Sequence, residues 1–270
     1  MDTRKNILIT GASNGIGEAL AKRYANADSR LILLARNTEK LKQVAKDCEQ
    51  KQAEAIIHSI DITQAEAVQK LITSIDAEFP IDLIICNAGV ANALDEDGNA
   101  ESWDTIKNTV DTNIVGVLAT LNPLIAELKK RKRGQIAIIS SLVAYYGMPI
   151  MPVYSASKAA VKAYGESLRT WLKEDGIKVS TIFPGFVKSD MSDQFTIDKP
   201  FMISSDKAAD IIYKGIEKNK ASISFPFPLN FGTWWLAVFP SALSGWIMGM
   251  LYGSKSGIMN KKPSKKLNNK

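Results

Sequence analysis

Short, mostly aliphatic runs recur along the chain: Asn6-Ile7-Leu8-Ile9, Leu31-Ile32-Leu33-Leu34, Ala55-Ile56-Ile57, Asp82-Leu83-Ile84-Ile85, Ile136-Ala137-Ile138-Ile139 and Val179-Ser180-Thr181-Ile182-Phe183. Helix-length segments with apolar residues at three- and four-residue spacing separate them. A strand covered by helices on both faces has no solvent side, so it reads as a continuous aliphatic run rather than an alternation. The pattern predicts an α/β fold, a doubly wound parallel sheet whose ligands sit at the carboxyl ends of the strands.

The residues that punctuate those strand ends carry the chemistry. Strand one is followed by Thr10-Gly11-Ala12-Ser13-Asn14-Gly15-Ile16-Gly17. Glycines at these three positions let the backbone turn tightly and approach a pyrophosphate, whose charge the following helix amino terminus favours. Arg36 follows strand two, Asp61-Ile62 strand three, Asn87-Ala88-Gly89 strand four, Ser141 strand five and Pro184-Gly185 strand six. An acid at the end of strand two would bond the ribose hydroxyls of NAD and repel a 2'-phosphate. A guanidinium there grips the phosphate through paired, charge-assisted bonds, so Arg36 predicts NADP(H). Asp61 is expected near the adenine, and also as N-cap of a helix starting around Thr63.

Tyr154 and Lys158 are four residues apart, close to one helical turn, so both side chains project from one face. A phenol with an ordinary pKa of about 10 exchanges protons poorly at neutral pH, and a neighbouring cation favours its ionised form. The pair therefore suits general acid and base work on a carbonyl or alcohol.

With the glycine loop, Asp61, Asn87-Ala88-Gly89, Asn113, Ser141, Tyr154-x-x-x-Lys158 and Pro184-Gly185 in order, the chain resembles the single-domain short-chain dehydrogenase/reductase family over roughly residues 5 to 225. That resemblance implies a Rossmann fold and an NADP(H)-dependent oxidoreductase interconverting a ketone or aldehyde and its alcohol. Ser141 would hold and polarise the carbonyl, and Tyr154 would protonate its oxygen. Lys158 would bind the nicotinamide ribose and lower the Tyr154 pKa, and Asn113 would hold a water that relays protons to Lys158. Ser13, Asn14, Ile16, Ile62, Ala88, Val187 and Ser189 complete the implied cofactor site, Ser189 standing where the family more often has Thr. Ala156, Ala159, Ala160 and Ala163 suggest a flat face for a homodimer or for packing within the chain.

The ending departs from the family. A strand-like Ala221-Ser222-Ile223-Ser224-Phe225 leads into a stretch in which residues 221 to 254 contain no charged side chain and three of the five tryptophans. Pro240 and glycines 232, 245, 249 and 253 interrupt this run, which argues against a membrane-spanning helix. Basic flanks, Lys214, Lys218 and Lys220 before it and the tail after it, suit attachment to one leaflet of a membrane surface, and packing of its aromatics over the substrate cleft or across a dimer interface is the alternative. The reading divides the chain into a dinucleotide-binding and catalytic domain at 1–228, a hydrophobic segment at 229–254 and a basic tail at 255–270. A lipophilic substrate is expected, with a polar or carrier-linked 3-oxoacyl compound, or a non-catalytic NADP(H)-binding regulatory role, as alternatives.

Of the net charge of +6, all six units sit on lysines in the last sixteen residues, so a nucleic-acid role is not expected. At 270 residues, 46% of them hydrophobic, the chain is sized for one domain. Cys48 and Cys86 fit no metal or redox pattern, His58 has no ligand cluster beside it, and the amino terminus shows no signal segment. These features predict no metal and a cytoplasmic location, peripheral on the cytoplasmic face of a membrane.

Overall fold

A computed structural model describes residues 4–94, 99–195 and 198–252. Seven strands form one sheet: β1 (Lys5–Thr10), β2 (Ser29–Ala35), β3 (Glu54–Ser59), β4 (Leu83–Cys86), β5 (Gly134–Ile139), β6 (Ile177–Pro184) and β7 (Ser222–Phe225). They lie in the order β3-β2-β1-β4-β5-β6-β7, and every pair is parallel. Strand order therefore reverses between β1 and β4, which opens a crevice at their carboxyl ends.

The helices are α1 (Gly15–Tyr24), α2 (Thr38–Glu49), α3 (Ala65–Glu78), α4 (Trp103–Val110), α5 (Gly116–Arg131), α6 (Pro152–Trp171), α7 (Asp190–Asp193), α8 (Ser205–Glu217), α9 (Leu229–Val238) and α10 (Ser241–Tyr252). Successive strand residues point to opposite faces, so Ile7 and Ile9 join one apolar layer while Leu8 joins the other. The first layer includes Leu20 of α1, Leu41 of α2 and Ile212 of α8, and the second Ile72 of α3, Leu124 of α5 and Val161 of α6. Covered on both faces, the central strands are buried almost throughout, which is why their sequences are aliphatic without alternation.

Between α4 and α5 the helix does not break but widens into a π turn at Asp111–Val115, where the Gly116 N–H reaches Asp111 O. This continuous run, Trp103–Arg131, is the one helix among the described residues long and apolar enough to cross a membrane, and half of its apolar window is buried in the protein. It is a core helix.

The expected cap on α3 differs from the one observed. Asp61 Oδ1 accepts from the Thr63 N–H at 3.0 Å and the Thr63 hydroxyl at 2.9 Å, while Gln64 is the residue that precedes the helix. Asp61 thus closes a turn leading into α3 and is not its N-cap, because Thr63 and Gln64 lie outside the helix.

The apolar ending folds as a helical hairpin, with α9 and α10 joined at Phe239–Pro240. At 10 and 12 residues, each helix is about half the length needed to span a bilayer. The amino-terminal basic flank is elsewhere. Lys218 and Lys220 precede β7, at the amino edge of the sheet, whereas the hairpin leaves its carboxyl edge roughly 13 Å away along the strand. The tail at 255–270 lies outside the described residues.

One buried ion pair fastens the lower half. Arg131 Nη1 and Nη2 bond Asp76 Oδ2 and Oδ1 at 2.7 and 2.9 Å, and Asp76 Oδ1 also accepts from the Ile81 N–H at 2.9 Å. The contacts tie the ends of α3 and α5 to the turn entering β4. Removing the carboxylate leaves a guanidinium in the core margin without its partner. Asp76→Ala is expected to cost about 3 kcal/mol in urea unfolding while leaving dinucleotide affinity unchanged, and a loss below about 1 kcal/mol would show the pair to be dispensable.

Candidate active site

The glycine turn has the conformation its residues require. Gly11 and Gly15 have φ of +65° and +59°, in the region that disfavours side chains. A Cβ on Gly11 would lie 2.8 Å from Ala88 Cα, and one on Gly17 would lie 2.2 Å from Gly11 O. The turn is therefore pressed against the end of β4, and Asn87 holds it there. Its Nδ2 donates to Thr10 O at 3.1 Å and Gly11 O at 3.0 Å, while the Asn87 and Ala88 N–H groups both bond Thr10 Oγ1 at 3.1 Å. No side-chain bond caps the start of α1, so its first-turn N–H groups are available to an anion.

A crevice of about 1200 Å³ runs along the carboxyl edge. Gly11, Ser13, Asn14, Gly15 and Ile16 line it at the end of β1, and Arg36, Asp61 and Ile62 line it past β2 and β3. Asn87, Ala88 and Gly89 face it from β4, Ser141, Tyr154 and Lys158 from β5 and α6, and Pro184, Gly185, Val187 and Ser189 from β6 and the following loop. Two candidates stand behind the wall: Gly17 packs under the glycine turn, and Asn113 is fully buried. The glycine turn that lines the crevice, together with the uncapped N–H groups at the start of α1, fits the pyrophosphate of a dinucleotide.

Arg36 is exposed at the crevice mouth, its Nη1 3.9 Å from Asp61 Oδ2. Burial acts to raise the Asp61 carboxyl, but the two Thr63 bonds and the Arg36 charge hold it below the usual carboxylate range. Asp61 is thus an anion beside a guanidinium with room for a second acceptor.

On α6, Tyr154 and Lys158 do share a face, with Lys158 Nζ 5.8 Å from the phenol ring centroid. The ammonium donates to Ile139 O at 3.0 Å rather than to the phenol. Burial pushes Lys158 down to about 8, and pushes the half-buried Tyr154 phenol above its ordinary value while the Ser141 hydroxyl pulls it back. The lowering expected from Lys158 alone is therefore not what this geometry shows, because the apolar walls outweigh an ammonium directed elsewhere. Ser141 is the residue that favours ionisation here.

Asn113 occupies the π turn, and its side chain is bonded through both its amide nitrogen and its oxygen. Nδ2 donates to Val90 O and Ser157 Oγ, both at 2.9 Å, and Oδ1 accepts from the Val90 N–H at 2.8 Å. A relay water would have to use the second Oδ1 lone pair or a backbone carbonyl released by the π turn. Gly89 keeps the gap open, since a Cβ there would stand 3.2 Å from Asn113 Oδ1 and 3.3 Å from Lys158 Nζ.

Several participants escape a reading of motifs. Ser157 accepts from Asn113 and donates to Tyr154 O at 2.7 Å, and Ser140 Oγ donates to Lys158 O at 2.8 Å. Both flank recognised positions, and a buried serine beside each is the only signal the chain offers. The far end of the crevice is walled by Met148, Met151, Met191 and Phe195, and by Trp235, Phe239 and Met248 of the terminal hairpin. Among the described residues no group of three or more metal-binding side chains occurs.

Comparison with known proteins agrees with this geometry. The family model described as short chain dehydrogenase matches residues 5–200. An uncharacterized oxidoreductase of Myxococcus xanthus is 33% identical over 242 residues, covering 88% of this chain and 94% of its own. Among solved structures, a short-chain dehydrogenase from Sphingobium yanoikuyae in complex with NADPH superimposes with a TM-score of 0.76 at 24% identity, covering 92% of this chain and 95% of that one. The bulky-bulky ketone specific alcohol dehydrogenase from Comamonas testosteroni gives 0.75 at 22% identity, covering 92% and 94%.

The buried ammonium makes a prediction. Because its folded pKa of about 8 lies below the ordinary 10.5, Lys158 penalises the folded state fully below pH 8, and the penalty fades as pH rises towards 10.5. Lys158→Met is expected to raise stability by roughly 1–3 kcal/mol at pH 7, with the gain shrinking at pH 10, while turnover is lost. Melting curves at the two pH values check this, and a gain independent of pH would remove the ammonium as its cause.

Proposed function

From the premise that the chain belongs to the short-chain dehydrogenase family, we propose that it is an NADP(H)-dependent oxidoreductase that interconverts a lipophilic ketone or aldehyde and its alcohol at a membrane surface. As a family member it is an NAD(P)-dependent dehydrogenase or reductase. The observation that carries the finer reading is the distribution of charge along the crevice. Its charged lining residues among those described are Arg36, Asp61, Lys158 and Asp190, and each stands where the dinucleotide would lie. The rest of the wall is mainly aliphatic, aromatic and methionine-rich, with neutral polar side chains such as Asn92, Gln194 and Thr233 among them, which suits a neutral, largely apolar substrate and offers no further cation to a carrier's phosphates.

The residues divide the work as follows. A bound nicotinamide dinucleotide supplies the hydride. Tyr154 gives its phenol proton to the carbonyl oxygen as charge builds there, and the Ser141 hydroxyl bonds the same oxygen. Burial keeps the phenol protonated at neutral pH, which favours the donor role. Lys158, still largely protonated at pH 7, stabilises the phenolate left behind, and Asn113 holds the floor of the site through Val90 and Ser157.

Arg36 supports the phosphorylated cofactor, in line with the NADPH held by the Sphingobium yanoikuyae enzyme and by an actinorhodin polyketide ketoreductase variant of the same fold. The ketone named for the Comamonas testosteroni enzyme is a bulky one, which accords with the wide apolar end of the present crevice. In this reading residues 1–228 form the catalytic body, 229–254 the apolar segment and 255–270 a basic tail whose charge suits anionic lipid, with the protein peripheral on the cytoplasmic membrane face. Ala156, Ala159, Ala160 and Ala163 are exposed on α6, which supports a second copy packing on that flat face.

Purified protein is expected to consume NADPH with lipophilic ketones in preference to polar ones. Tyr154→Phe should lower kcat/KM by roughly 10²–10⁴-fold with NADPH affinity kept. Unchanged turnover would remove Tyr154 from the proton path. Arg36→Glu should shift the NADPH-to-NADH ratio of kcat/KM by about 100-fold or more, since it trades a charge-assisted bond for repulsion. A retained preference for NADPH would place phosphate recognition elsewhere.

A further inference from the structure

Helices α9 and α10 are apolar all round, and their side chains divide between two surfaces. Trp235, Leu236, Phe239 and Met248 line the crevice. Trp234, Val238, Leu243, Trp246 and Met250 do not, and they are 42% to 61% exposed. Phe231 and Leu251 belong to both surfaces, lining the crevice while more than half exposed, as does Phe201 from the loop before α8. The inner wall of the crevice is therefore continuous with the outer apolar face across its rim.

A helix with no polar side needs cover on every side. The composition of 255–270, six lysines and three large apolar side chains, Ile258, Met259 and Leu267, is poorly suited to that cover. A second copy docked through this face would add another six lysines of the same sign next to the first. An anionic leaflet gains from those charges what a second copy loses, and tryptophans such as Trp234 and Trp246 suit its interface.

We propose that the α9–α10 hairpin is a substrate portal: its outer face rests in an anionic leaflet, and the rim at Phe201, Phe231 and Leu251 opens the crevice to that leaflet. A neutral carbonyl compound dissolved among the acyl chains then enters without crossing water. The portal rests on the carbonyl-reductase reading above, and adds to it the route by which substrate arrives.

The test uses the full chain with phosphatidylcholine vesicles containing 30% phosphatidylglycerol (about 3 in 10 lipids, enough for a clear surface charge). A long-chain dialkyl ketone is carried in the vesicles, and a small water-soluble ketone serves as reference. Trp246→Glu with Met250→Glu, and separately Val238→Asp, alter exposed side chains that do not line the crevice. Each is expected to lose about tenfold or more of the rate on the vesicle ketone and to stay within about twofold on the soluble one, as loss of partitioning predicts. Brominated lipid should quench the tryptophan fluorescence of the unmodified protein, which tests the seat without any substitution. Variants that leave the vesicles yet reduce the vesicle ketone at the original rate would overturn the portal, as would the absence of quenching. An outer-face variant that only splits a dimer would assign the face to a second copy instead. Failure to turn over either ketone, with NADPH still bound, would overturn the carbonyl-reductase reading and the portal with it. Turnover of the soluble ketone without any effect of vesicles would sink the portal alone.

Discussion

Asn87 fastens β4 to the glycine turn, and the rest of the carboxyl edge depends on that fastening. Strand order reverses between β1 and β4, so no crossover helix holds the two ends together there. The Asn87 amide spans the gap to Thr10 O and Gly11 O, and Thr10 Oγ1 returns two bonds to the β4 backbone. The absence of Cβ atoms at Gly11 and Gly17 lets the strands come this close. Opening the crevice for a ligand and closing the fold beneath it are thus satisfied by the same few atoms.

The proton-handling residues carry an opposite balance. Lys158 is buried with one bond to Ile139 O, so its ammonium is held where charge is disfavoured, while the apolar walls around Tyr154 oppose the phenolate that its proton transfer must leave behind. Such placements weaken a fold and sharpen a site, because small movements of charge are felt strongly where water is excluded. Ser140 and Ser157 bond the backbone carbonyls of Lys158 and Tyr154, and Asn113 braces Ser157, so the helix that carries those side chains is fixed without neutralising them.

Much of this was legible in the chain, and physical reasons separate what was from what was not. Strands sandwiched between helices must be aliphatic, so β1, β2, β5 and β6 announce themselves, and the tight turn demands glycines that can be counted. Tyr154 and Lys158 are readable because helical spacing alone places them on one face. Contacts between residues distant in sequence left no such trace. Ser157 meets Asn113 across 44 positions, and the hairpin reaches the crevice from beyond β7. The lysines before β7 looked like a flank of the apolar segment until strand direction put them at the other edge of the sheet. Asp61 looked like a cap because its residue type suits one, although its bonds to Thr63 end before α3 begins.

The π turn at Asp111–Val115 has a consequence for how this chain can vary. A π turn holds one residue more than an α turn, and each residue rotates a helix by about 100°. Upstream of it the helix offers Thr109 to the Asn92 side chain, and downstream it offers Leu121, Leu124 and Leu128 to the core. The π turn absorbs the surplus residue, so the two surfaces keep the phase that an unbroken helix one residue shorter would give them. Straightening the turn to α geometry with every residue kept would swing one surface by about 100° away from its partners. Loss of one residue between 111 and 115 would instead let the helix close with both surfaces in place, and what would vanish is the wide turn that carries Asn113. The surplus residue thus serves the site, and the core merely tolerates it.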